Sequence, residues 1–285
     1  MFLSGPARLG PEVGEATTMT TVETTGLLAG RVAIVSGVGP GLGRSIALAL
    51  GRAGADLALA ARRAEPLTAV AAELEALGCR AVPIPTDVAD PEQCRHLADT
   101  AAAALGRVDV LVNNAFAEED WRDPFDGFDP ERWREPVAVN CFGSLTLSQA
   151  VVPHLRAVGG GSIVMTTTLS VKNPVPLLAG YAASKRALTT AAQVLAQELG
   201  PDRIRVNCVA PGHIRGGSLD EYFDWIAEQR GVEPQVVADE IATMNALPQI
   251  ATPDEIAATV VFFASDLSRV ITGQTLNVNC GRTLG

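Results

Sequence analysis

Short, continuous apolar runs alternate along this chain with longer segments of helical periodicity, and that alternation constrains the fold more than any other feature. Arg31–Ser36, Asp56–Ala61, Arg80–Thr86, Asp109–Asn113, Ser162–Thr167, Ile204–Val209 and Thr275–Asn279 read as strands. Gly41–Ala53, Glu65–Leu77, a segment from about Pro91, and the stretches 130–156, 180–199 and 253–264 read as helices. Strands apolar on every residue must be covered on both faces, and helices between them supply the covers. The expectation is an α/β, doubly wound, Rossmann-type three-layer sandwich with a parallel sheet of about seven strands.

The punctuation fits one domain. Residues 1–29 are rich in Gly, Pro, Thr and Glu without a clean period and read as a flexible N-terminal tail; Met19 within it is an alternative start. Residues 30–285 read as a single domain. The irregular insert at about 215–252, bearing Tyr222, Phe223, Trp225 and Met244, is expected to be a helical substrate lid or a helical pair at a subunit contact. No apolar run reaches eighteen residues, so no membrane span is expected. The start lacks a basic then apolar pattern, so a cytoplasmic location is expected. With 22 Lys and Arg against 32 Asp and Glu, the formal net charge is −10, which disfavours nucleic acid and anionic membranes as partners. Five scattered cysteines and three separated histidines lack metal-ligand spacing and read as reduced thiols and lone imidazoles.

Chemistry begins at Ser36-Gly37-Val38-Gly39-Pro40-Gly41-Leu42-Gly43, between the first strand and the first helix. Glycines there permit a tight turn and close approach to a pyrophosphate, and the helix start offers N–H donors to it. The second strand ends Ala60-Ala61-Arg62-Arg63 with no acid at its tip. A carboxylate would repel a 2′-phosphate, whereas a guanidinium grips it. Arg62 therefore points to NADP(H) rather than NAD(H); the alternative is that Arg62 and Arg63 form a solvated helix start. Farther on, Tyr181 and Lys185 stand at i and i+4 of a helix, on one face. A neighbouring ammonium favours the phenolate, which suits the pair to proton transfer at a hydroxyl or carbonyl oxygen.

These features resemble the short-chain dehydrogenase/reductase family in its compact single-domain form. Gly37, Gly41 and Gly43 match its TGxxxGxG loop with Ser36 for Thr; Asp87-Val88 match its adenine-contacting acid; Asn113-Asn114-Ala115 match NNAG; Asn140, Tyr181 and Lys185 match its catalytic asparagine and YxxxK pair; and Pro211-Gly212 match its PG turn, with Ile214 two residues beyond. The resemblance implies hydride transfer between the nicotinamide and a carbonyl or secondary alcohol. Tyr181 would be the acid or base, Lys185 would lower its pKa and hold the ribose, and Asn140 would position a relay water. Thr168, where the family usually has serine, would polarise the substrate oxygen, with Ser170 two residues on able to share a strand face with it. Asn114, Ala115, Pro211, Gly212 and Ile214 would contact the cofactor.

Phe116 replaces the last glycine of NNAG, Gly216 replaces the threonine after the PG turn, and Asn279-Cys280-Gly281 replaces DGG. Phe116, Ser170, His213, Tyr222 and Trp225 are the candidate substrate contacts, in a moderately apolar pocket. A homotetramer or homodimer is implied by the resemblance alone. The competing reading is a non-catalytic dinucleotide sensor on the same fold.

Overall fold

The computed structural model describes residues 26–117, 126, 129–174, 176 and 178–284. Seven strands form one sheet: β1 (Val32–Ser36), β2 (Asp56–Ala61), β3 (Ala81–Pro85), β4 (Val110–Asn113), β5 (Gly161–Thr166), β6 (Ile204–Pro211) and β7 (Thr275–Val278). Their order is β3-β2-β1-β4-β5-β6-β7 and every pairing is parallel. The sequence reading of the sandwich holds, with element ends shifted by a residue or two.

Helices cover both faces. On one side α1 (Leu42–Arg52), α2 (Ala64–Ala76) and α9 (Pro253–Ala264) bury Ile46, Leu50, Leu67, Leu74, Ile256, Val260 and Phe263 against Val35, Leu57, Leu59 and Val112. On the other, α3 (Pro91–Leu105), α5 (Ser144–Ala157) and α6 (Ala179–Glu198) bury Leu97, Leu147, Val151 and Leu188 against Ile34, Leu111, Ile163 and Val206. Strand residues alternate between the two cores, which is why the central strands β1 and β4 are almost entirely apolar and buried.

The stretch read as one helix over 130–156 is compound. A 3-10 turn (Pro130–Trp133), a short α4 (Arg134–Pro136) and a π turn (Val137–Gly143) precede α5. The glycine there is forced by packing: a Cβ on Gly143 would lie 2.9 Å from Val88 Cγ2.

One boundary is corrected. Of the tail read at 1–29, residues 1–25 lie outside the described residues, but Gly26–Gly30 form a turn whose Leu28 is 1% exposed. The Leu28 N–H donates to Ala53 O at 2.8 Å, so burial of one leucine moves the start of the fold ahead of residue 30. The insert after β6 folds into α7 (Ser218–Arg230) and α8 (Pro234–Thr243). These helices share their own small core of Phe223, Ala227, Val237, Ala238 and Ala242. The outgoing and returning chains are joined at its base by a bridge between Ile214 and Ala251 and by Arg215 N–H to Ala251 O at 2.9 Å.

A buried carboxylate ties β1 to β4, the two strands that carry the loops of interest. Asp109, with no exposed side-chain surface, accepts from Arg107 at 2.6 and 2.8 Å, from Arg31 at 3.2 Å and from the Val32 N–H at 2.9 Å. Removing one charge from such a cluster strands its partners, but both arginines are about 40% exposed and can recover water. Asp109→Asn is therefore expected to lower unfolding free energy by about 1–3 kcal/mol. In a urea titration this reads as a lower midpoint at unchanged slope; an unchanged midpoint would show that the cluster contributes nothing.

Candidate active site

The strand order reverses direction between β1 and β4, so the chain leaves these neighbours toward opposite faces and a crevice opens beyond their C-terminal ends. Both flanking loops carry motif residues. Gly37 has φ 74° and Gly41 φ 91°, backbone that favours glycine. A Cβ on Gly37 would lie 2.5 Å from the Ala115 backbone, and one on Gly43 would lie 2.1 Å from Gly37 O. Gly39 and Gly41, by contrast, face open space. Gly41 caps α1 without a side chain, and Leu42 and Gly43 begin it after Pro40. This leaves the helix start to an external anion. The loop thus has the cradle that a dinucleotide pyrophosphate requires.

Ser36, noted from sequence only as a substitute for threonine, fastens the crevice. Its Oγ lies 3.2 Å from the Asn114 N–H, 3.3 Å from the Ala115 N–H and 3.4 Å from Val112 O. Asn114 Nδ2 donates to Gly37 O at 3.0 Å. Arg62 and Arg63 follow β2 directly, and both are exposed. Asp87, half-buried past β3, accepts from the Ala89 N–H at 2.9 Å and so holds its own turn. Val88 is buried against the π turn.

Side chains of α6 and the π turn reach the chain just beyond β4 and the end of β5. Lys185 is 1% exposed, and its Nζ donates to Thr166 O at 2.8 Å. Burial lowers its pKa to about 8. Its electrostatic neighbours are the thiols of Cys208 and Cys141, which burial pushes up, Cys208 to about 12. Tyr181 lies one turn earlier on α6, half-buried. Asn140, with no exposed surface, sits inside the π turn. It accepts from the Ala117 N–H at 2.8 Å and donates to Ala117 O and Ser184 Oγ, each at 3.0 Å. Ser184 donates in turn to Tyr181 O at 2.7 Å. Ser184 was not singled out from the sequence, although its place between Tyr181 and Lys185 on a helix that buries this face was the available signal.

Thr168 and Ser170 do come together, but not by strand alternation. β5 ends at Thr166, and Thr168 caps a 3-10 turn over Leu169–Val171. The turn brings the two hydroxyl oxygens to 3.4 Å while Thr168 accepts from the Ser170 N–H at 3.3 Å. Thr168 is half-buried and Ser170 is 7% exposed, so Thr168 has the greater access.

Pro211 ends β6, and Gly212 packs so tightly that a Cβ would lie 2.7 Å from Asn279 Cβ. Burial, then the charge of Arg282, lowers the His213 pKa, so the imidazole is neutral at pH 7. Ile214 is committed to the bridge with Ala251. Phe116 is 52% exposed, so its ring is not turned into the core. Tyr222 and Trp225, with ring centroids 6.3 Å apart, are carried by the α7–α8 hairpin; Trp225 is 48% exposed, while Phe223 is spent on the hairpin core. No cluster of metal-ligating side chains occurs among the described residues.

Lys185 has a consequence that needs no bound ligand. Its folded pKa lies below the ordinary 10.5, so between about pH 8 and 10.5 the unfolded chain holds a proton that the folded chain has released. Stability then rises with pH across that window, and the cost of burying the charge is fully present below it. Chemical denaturation of wild type and Lys185→Met from pH 7 to 10.5 should show wild type gaining on the variant as pH rises. Parallel curves would place the ammonium in contact with water.

Known proteins are similar to this chain in sequence and fold. The family model described as Enoyl-(Acyl carrier protein) reductase matches residues 37–283. Short-chain reductase protein NovJ from Streptomyces niveus is 36% identical over 251 residues, 88% of this chain and 93% of that protein. The 7alpha-hydroxysteroid dehydrogenase of Escherichia coli (strain K12) is 31% identical over 89% of this chain and 94% of its own. Among solved structures, carveol dehydrogenase from Mycobacterium avium in complex with NAD superposes with a TM-score of 0.84 at 31% identity, covering 90% of this chain and 99% of that one. L-Sorbose reductase from Gluconobacter frateurii, complexed with NADPH and L-sorbose, gives 0.85 at 27% identity, covering 92% and 100%. This chain belongs to the short-chain dehydrogenase/reductase family and is an oxidoreductase of the CH–OH/C=O class.

Proposed function

We propose that this enzyme uses NADP(H) to interconvert a carbonyl and a secondary alcohol on a moderately apolar small molecule. The observation that carries the reading is the combination of buried Lys185 bonded to the end of β5, Tyr181 one helical turn away on α6, the Thr168 hydroxyl just past β5 and a glycine cradle at the end of β1. The dinucleotide, when bound, supplies or accepts the hydride. The cradle from Gly37 to Gly43, including Gly39, Pro40, Gly41 and Leu42, would hold its pyrophosphate. Asp87, Val88, Asn114, Ala115, Pro211, Gly212 and Ile214 would line the rest of its path.

Thr168 would donate a hydrogen bond to the substrate oxygen. Its methyl stiffens the rotamer relative to serine and narrows the approach. Tyr181 would give its phenolic proton to that oxygen in reduction and take it back in oxidation. Lys185, buried and without a carboxylate among its electrostatic neighbours, would direct its charge at the phenol and favour the phenolate. Asn140 has spent its amide on Ala117 and Ser184, so its side chain would hold the site rather than touch the reacting atoms. Phe116, neutral His213, Ser170 and the hairpin rings Tyr222 and Trp225 would shape the substrate pocket, with α7–α8 as its lid.

Arg62 is the reason for preferring the phosphorylated cofactor. It stands exposed at the tip of β2 with no acid beside it in sequence, and a guanidinium there can bind a 2′-phosphate on two oxygens. Fluorescence titration should find NADPH bound more tightly than NADH, with Arg62→Ala losing most of the difference, about tenfold or more. Tyr181→Phe should keep that binding and lose turnover of lipophilic ketones by several orders of magnitude. Tighter NADH binding with a silent Arg62→Ala would reverse the cofactor assignment. Binding without turnover in wild type, on any carbonyl, would favour the dinucleotide sensor.

A homotetramer or homodimer completes the reading. β7 is an edge strand with Leu276 44% exposed, and Leu267, Val270 and Leu284 around it are more exposed still. Uncovered apolar surface along a free sheet edge favours pairing with a second copy. Light scattering should give a mass of two or four chains, and a stable monomer at micromolar concentration would rule this out.

A further inference from the structure

The hydrogen-bond polarity around Asn140 has only one solution. Ala117 N–H can only donate and Ala117 O can only accept. Asn140 Oδ1 faces the first at 2.8 Å and Nδ2 the second at 3.0 Å, so the amide cannot be reversed. The remaining Nδ2 proton then points at Ser184 Oγ, 3.0 Å away, which must accept it. The hydroxyl proton of Ser184 is thereby sent to Tyr181 O at 2.7 Å. Ser184 is 1% exposed and Asn140 has no exposed surface, so no water can replace either partner without a cavity. Behind them the chain continues inward: Ser144 Oγ donates to Asn140 O at 3.0 Å, Ser148 Oγ to Ser144 O at 2.7 Å, and Asn113 Nδ2 to Ser148 Oγ at 2.9 Å. One end of this ladder is on β4, the other on the first turn of α6.

We infer that Ser184 is a positioning residue: through the Asn140 amide it fixes the Phe116–Ala117 turn against the first turn of α6, so that the exposed ring of Phe116 and the phenol of Tyr181 are held in one register. The inference rests on the proposed carbonyl chemistry for its kinetic meaning, but the clamp itself is a property of the protein alone. Ser184 touches neither substrate nor reacting atoms. Without its acceptor, Asn140 keeps a buried N–H unsatisfied and loosens its hold on Ala117. The turn then wanders, and with it the wall that Phe116 offers where a glycine would offer none.

The test uses the full-length protein and two readouts. Hydrogen exchange by NMR or mass spectrometry follows the Ala117 amide, with the β2 amide of Leu59 as reference. Ser184→Ala should speed exchange at Ala117 by about tenfold and leave Leu59 within twofold. Ser184→Thr, which keeps the hydroxyl, should return Ala117 toward wild type. In turnover of a bulky ketone, Ser184→Ala should lower kcat about tenfold with the NADPH dissociation constant unchanged. Its effect should largely vanish in a Phe116→Gly background, because the two residues act through one turn. Equal acceleration at Ala117 and Leu59, or additive effects of the two substitutions, would reduce Ser184 to an ordinary buried serine and overturn the inference. Unchanged exchange at Ala117 would do the same. Should Ser184→Ala not fold, Ser184→Cys, nearly the same size but a poor acceptor, reads the same exchange. If wild type reduces no carbonyl, the proposed activity fails, while the exchange result still decides the clamp.

Discussion

The approach of the first glycine loop to the end of β4 sets the geometry of everything above the sheet. Backbone meets backbone there: a single Cβ on Gly37 would fall 2.5 Å from Ala115. The contact is possible because β1 and β4 are adjacent despite lying about eighty residues apart, and Asp109 and Ser36 pin the pair at its two ends. From that junction the loop toward α1 and the loop toward Phe116 diverge, one making the anion cradle and the other a wall. Substrate and dinucleotide would therefore be placed by the same pair of strands, and a shift in either strand would move both ligands together.

Much of this was legible in the sequence because the relevant signals are local. Continuous apolar runs and the 3.6-residue period locate strands and helices, since burial on both faces leaves little room for polar residues in the central strands. Gly37, Gly41 and Gly43 are legible because backbone dihedrals and packing leave no alternative to glycine. Tyr181 and Lys185 are legible because a regular helix places i and i+4 on one face. What failed to be legible lies where regular periodicity breaks. The π turn over Val137–Gly143 shifts the helical register, so spacing cannot say that the Asn140 side chain turns toward Ala117. Thr168 and Ser170 meet through a 3-10 turn that no alternation rule describes. Leu28 docks on the core from a segment whose composition is that of a tail, because one buried leucine carries no period.

Ser36 and Ser184 were hidden for another reason. A serine in isolation is the least informative polar residue, since its hydroxyl both donates and accepts and suits turns, caps and cores alike. Their roles emerge only from partners far away in the chain: Ser36 from Asn114 and Ala115, Ser184 from Asn140. Long-range polar satisfaction is the part of a fold that sequence pattern encodes most weakly, and in this protein it surrounds the residues proposed to react.

Two of the departures from the family pattern share a direction. Phe116 puts a ring where glycine would leave a gap, and Thr168 adds a methyl where serine would leave space. Each would reduce volume near the substrate without altering Tyr181, Lys185 or the cradle. A pocket trimmed in this way gains selectivity by excluding substrates that do not match its walls, which demands that the walls hold still. Rigid shape is expensive in irregular loops, where backbone groups lack the partners that helices and strands provide. The buried amide of Asn140 supplies both missing partners to Ala117 at once, so both backbone groups of that irregular segment are satisfied as they would be in a strand. Selectivity in this enzyme would then reside in the loops, and the proton transfer in the α6 pair of Tyr181 and Lys185 beside them.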